Sequence, residues 1–111
     1  MSEDMKVGWT IKEFPCEVRK RFVATAKEVN FTCPGLMETV LVGWFTEPTF
    51  PEPQSEIAEG TVIGPFFLNP FPLNLKNRFV AAAHMHEVTV AVLLDHVLNQ
   101  YFQRLEQRQN A

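Results

Sequence analysis

The chain has 111 residues, 46% apolar content and a formal net charge of −3, with ten Phe to fill a core, which bounds it to one compact domain over 1–111. It holds no run of about 18 apolar residues, which excludes a spanning helix. Its acidic opening, MSEDMKVGW, lacks the apolar stretch of a secretory signal, so a cytoplasmic location is expected.

In chain order, residues 5–12, MKVGWTIK, alternate, with Val7, Trp9 and Ile11 on one face and Lys6, Gly8, Thr10 and Lys12 on the other. This pattern predicts a half-buried strand. Pro15 then suits the first position of a helix, where a missing N–H costs nothing. Val18, Phe22, Ala26 and Val29 recur at helical spacing, predicting a helix over 15–29. Thr32 reads as the N-cap of a second helix over 33–45, whose apolar stripe is Leu36, Val40, Leu41 and Trp44. Residues 46–62, TEPTFPEPQSEIAEGTV, carry four Glu, three Pro and no Lys or Arg. That composition predicts a solvated spacer. The spacer holds the excess acidity, and the rest of the chain is close to neutral.

Residues 61–69, TVIGPFFLN, form a second strand candidate, with Phe66 and Leu68 facing in and Phe67 and Asn69 facing out. Pro65 and Pro70 confine it to a short strand. Pro72, Leu75, Phe79, Ala83 and His86 then predict a helix over 72–86, with His86 half-buried like Val29. Thr89 reads as the cap of a last helix over 90–107, with Leu93, Val97, Leu98 and Tyr101 as its stripe.

The second half repeats the first. Residues 14–45 and 71–102 align without a gap, 57 residues apart, with 12 of 32 positions identical. Phe-Pro, Arg-Phe-Val-Ala, Thr, Leu, Val-Leu and Phe all stay in register, where unrelated sequences would share about two positions. The organisation is therefore a repeat over 5–45, a linker over 46–62 and a second repeat over 63–107. A lone strand leaves its backbone groups unpaired. Pairing the two strands antiparallel about a two-fold axis, with four helices beneath, solves this within one chain.

A short alternating strand, Phe-Pro-x-x-Val-x-x-x-Phe, a turn ending in Thr and Leu-x-x-x-Val-Leu together resemble the ribbon-helix-helix (Arc/MetJ/CopG) family, over about 5–45 and 63–105. Single-repeat members are homodimers, and a tandem chain is similar to the TraY-type proteins of conjugative plasmids. The resemblance implies a mainly α fold with a two-stranded antiparallel β-ribbon, a tandem pseudo-dimer in one chain. It also implies sequence-specific binding of double-stranded DNA, as a repressor or a plasmid transfer-origin accessory factor, with no cofactor. Carried over by position, Lys6, Thr10, Lys12, Phe67 and Asn69 would read bases in the major groove. Thr32, Cys33, Thr89 and Val90 would present helix-terminal amides to phosphates. A second copy on the same DNA is compatible with so short a ribbon.

The chain departs from that pattern in its second strand, which has two prolines and no basic residue. One extra residue, Glu13 or Pro70, also separates each strand from its Phe-Pro. A one-residue slip there would turn Glu13 toward phosphates. The alternative reading is a ribbon-helix-helix protein-interaction module without DNA binding, with Phe66, Phe67 and Pro65 as the partner surface.

Other constellations carry less. RKR at 19–21 is matched by KNR at 76–78, so Arg21 and Arg78 share a structural role beside the core, with the run otherwise a solvated face rather than a phosphate site. His84 and His86 do not share a helix face, so a metal is not expected. Cys16 and Cys33 are expected as reduced, half-buried thiols. No converging acid, base or nucleophile marks an enzyme.

Overall fold

The computed structural model describes residues 5–109. Strands β1 (Lys6–Pro15) and β2 (Ile63–Pro72) pair antiparallel as an isolated two-stranded ribbon. Helices α1 (Cys16–Glu28) and α2 (Cys33–Thr46) follow β1, and α3 (Leu73–Met85) and α4 (Val90–Gln109) follow β2. The fold is mainly α with a β-ribbon, as expected. No helix among the described residues is long and apolar enough to cross a membrane.

The ribbon's register follows the repeat. Thr10 pairs with Phe67, its counterpart 57 residues on, while Trp9 pairs with Leu68 and Ile11 with Phe66. Both strands show the same alternation, with Trp9, Ile11 and Phe14 buried on β1 and Phe66, Leu68 and Phe71 on β2. Strict alternation from Ile11 would bury Glu13 and expose Phe14. Irregularities between Ile11 and Phe14 and between Val7 and Trp9 prevent this. Each places two residues opposite one, as a bulge does, and Glu13 and Pro70 are the residues absorbed. Glu13 takes a left-handed φ of 57°, and Phe14 returns to the core.

The strands are longer than expected, because each runs through Phe-Pro into its helix. Pro15 and Pro72 therefore occupy the N-cap positions, one residue before the predicted helical site. Their ψ values of 122° and 123° are still extended. Neither can cap with a side chain, and the first helical N–H groups find other partners. Cys16 N–H donates to Val62 O at 2.9 Å and Leu73 N–H to Met5 O at 3.0 Å. Pro65 and Pro70 do not shorten β2, since both are exposed and lie at its two irregularities, where regular pairing does not call on their missing N–H.

Beneath the ribbon, aromatic residues pack in matching sets. Trp9 contacts Phe71 and Phe79 with ring centroids 5.0 and 6.0 Å apart, and Phe66 contacts Phe14 and Phe22 at 5.4 and 6.0 Å. Phe22, Phe79, Met37, Leu41, Leu93 and Leu98 complete a core from all four helices. Tilted and edge-on ring pairs add about 0.5–1.5 kcal/mol each beyond their buried area. Among the described residues no polar or charged side chain is buried, so burial of apolar surface dominates the fold's stability.

Candidate nucleic-acid interface

The second helix of each repeat starts on its expected cap. Thr32 Oγ1 accepts from Gly35 N–H and Thr89 Oγ1 from Val92 N–H, both at 3.1 Å. Such a cap contributes about 1 kcal/mol. Arg21 and Arg78 play the matched role expected of them. Arg21 lies over the Phe102 ring at 4.4 Å from its centroid, and Arg78 over Phe45 at 4.3 Å. Each thus ties its own repeat to the other. Arg21 also donates to Glu106 at 2.6 Å.

The ribbon's outer face carries Lys6, Gly8, Thr10 and Lys12 from β1 and Phe67 and Asn69 from β2, all exposed. The five expected base-reading side chains thus lie on one face, opposite the core. Phe67 is 60% exposed at its centre. A Cβ at Gly8 would meet the Phe67 ring at 3.1 Å, so the glycine gives that ring its room.

The two helix starts expected to meet phosphate have different surroundings. Cys33, at the start of α2, lies in a groove of about 640 Å³ between α1 and β2. Arg19, Lys20 and Lys27 line it together with Pro65, Phe66 and Phe67. Arg19 Nη1 donates to Pro65 O at 3.0 Å, which fixes its stem along β2. Burial raises the Cys33 thiol pKa, opposed by the Lys27 charge. Thr89 and Val90, at the start of α4, line a cleft of about 510 Å³ with Lys12, Glu13, Ser55 and Glu56. The linker therefore lies across the α4 start.

That linker is not the free spacer its composition suggests. Trp44 Nε1 donates to Thr49 O at 3.1 Å, and Gln54 N–H donates to Glu87 O at 2.8 Å. Phe50 stacks on His86 with centroids 3.5 Å apart, and Phe50 and Ile57 pack partly buried against the core. Thr49 Oγ1 lies 2.8 Å from Gln100 Oε1 and 3.0 Å from His96 Nε2. Its single proton goes to Gln100, so it accepts from His96 N–H. Burial lowers the His96 pKa, against the Thr49 hydrogen bond and the Asp95 charge. His86 is exposed, as is Val29, rather than half-buried. The helix has ended there, and the linker's Phe50 covers the ring. Cys16 and Cys33 are free and half-buried.

The basic groove was only partly visible in the sequence. Arg19 and Lys20 stand in the RKR run, but Lys27 joins them only once the helix is built. A detectable signal was the loss of permanent charge at two of the three counterparts, Asn77 and His84, with Lys76 retained. Comparison with family models, with curated proteins and with solved structures finds no match to this chain.

Proposed function

We propose that this chain is a tandem ribbon-helix-helix pseudo-dimer that binds double-stranded DNA sequence-specifically by laying its ribbon in the major groove. The pseudo-dimer is supported by the Thr10–Phe67 pair, about which Trp9–Leu68 and Ile11–Phe66 exchange. Interaction with DNA rests above all on the outer ribbon face, where Lys6, Thr10, Lys12, Phe67 and Asn69 stand exposed together. A major groove about 12 Å wide admits such a ribbon. Lys12 donates to guanine O6 and N7, Asn69 pairs with adenine, Thr10 serves either base and Phe67 packs on a thymine methyl. Lys6 reaches the edge of the site. Because the strands differ in sequence, the site read is non-palindromic. Repression and assistance at a transfer origin are the two roles this activity fits, with a second copy binding alongside.

A protein-interaction module is the second reading. It is favoured by the apolar exposure of β2 and its approach, where Phe67 is 60%, Val62 71% and Ile63 46% exposed. Binding of a generic labelled duplex across a salt series separates the two. The DNA reading expects log affinity to fall linearly with log salt, with a slope of about −0.9 per phosphate neutralised. Absence of duplex binding even at the lowest salt overturns it and leaves the protein-partner reading.

A further inference from the structure

We propose that the DNA backbone is gripped on one side of the ribbon only, by Arg19, Lys20 and Lys27 in the groove between α1 and β2, because the acidic linker shields the other side. This rests on the DNA reading and specifies where phosphates bind.

The two sides are related by the 57-residue offset yet differ in charge. On the α1 side, Arg19, Lys20 and Lys27 line one groove that contains no acidic residue and runs up to Phe67 on the reading face. The counterparts on α3 are Lys76, Asn77 and His84, leaving one permanent cation where the first side has three. The linker then brings Glu56 into the cleft beside Lys12, Thr89 and Val90, and Glu52 and Glu59 flank it as exposed residues.

The linker's position there is built, not incidental. The Gln54–Glu87 backbone hydrogen bond and the stack of Phe50 on His86 hold it over the turn between α3 and α4. Ile57 anchors it to the core on the far side of Glu56. The segment joining two repeats exists once, so it shields one of two related surfaces. A phosphate approaching the α4 start meets Glu56 and Glu13 beside the single cation Lys12, whereas one approaching the α1 groove meets three cations and no carboxylate. At separations within a Debye length, about 8 Å at physiological salt, that difference in sign decides which strand is held. The grip on one side also fixes the direction in which the protein sits on its site.

The test measures the salt dependence of duplex affinity for the full chain and three variants. Lys20→Gln with Lys27→Gln is expected to lower the slope of log affinity against log salt by about two. Lys76→Gln, at the α3 counterpart of Arg19, is expected to leave the slope unchanged. Glu52→Gln, Glu56→Gln and Glu59→Gln together are expected to tighten binding about tenfold and make hydroxyl-radical protection spread to the second side of the site. All substituted side chains are exposed or partly exposed, and circular dichroism checks that each variant folds. If the wild type binds but the Lys20/Lys27 variant keeps its slope, or Lys76→Gln lowers it equally, the one-sided grip is wrong while the DNA reading stands. If the wild type binds no duplex, both fall.

Discussion

Glu13 shows what a single residue does to this ribbon. Nothing in the sequence marks a left-handed conformation there, since neither Gly nor Asn occupies the position. The extra residue before Phe-Pro is visible, but whether it shifts the strand's phase or bulges is decided by Phe14. Burying that ring contributes about 1.5–3 kcal/mol, more than the 1–2 kcal/mol that a non-glycine residue gives up in the left-handed region. Bulging therefore wins over slipping. Glu13→Gly is expected to raise stability by about 0.5–1 kcal/mol in chemical denaturation, since glycine adopts this φ without a Cβ clash. The same change removes a carboxylate beside Lys12 and is expected to tighten duplex binding. Destabilisation would mean that Glu13 makes a contact worth more than its backbone cost. Arg21 and Arg78, by contrast, were readable, because two arginines at matched positions beside core phenylalanines had to share a role.

Helices were the most legible elements. Phe22, Ala26, Phe79 and Ala83 lie where their 3.6-residue period places them, and both Thr caps close as read. Periodicity is a property of one face against one core, and it survives without knowing what the core is. The linker was illegible for the complementary reason. Phe50, Ile57 and Val62 are its large apolar residues and have no period, and Thr49 is placed through partners on α4. One of those partners gives the linker a pH dependence. An unfolded His96 titrates near 6.5 and the folded one lower. As pH falls, the unfolded state binds the proton first, so the contribution is complete above about pH 6.5 and is lost as pH falls through the folded value, levelling off below it. The neighbouring Asp95 charge acts against burial and reduces the loss without reversing it. Hydrogen exchange at the Gln54 amide, corrected for its intrinsic rate, is expected to lose protection between about pH 7.5 and pH 5, relative to amides within α2. A His96→Gln variant should show no such change. Equal loss in that variant would assign the effect to another group.

At the scale of the whole molecule, the duplicated sequence and the paired strands belong together. Trp9 packs on Phe71 and Phe79 from the other repeat, and Phe66 on Phe14 and Phe22. Neither repeat has a complete core without the other, which is why one chain carries both. The outer ribbon face was legible from alternation alone, once the strands were paired. What the repeat concealed was its asymmetry, because an alignment records shared residues and the linker has no counterpart to align. The face that results is two strands of different sequence, with cations on one flank and carboxylates on the other.

The claim that this face reads DNA is tested most directly by selection. The purified chain is incubated at low salt with a random duplex library, bound DNA is recovered and sequenced, and a Thr10→Ala, Lys12→Ala variant is carried in parallel. A non-palindromic motif that is enriched by the wild type and vanishes in the variant is the expected result, each lost base contact being worth about 1–3 kcal/mol of discrimination. No enrichment, or a motif that persists in the variant, would contradict readout by the ribbon.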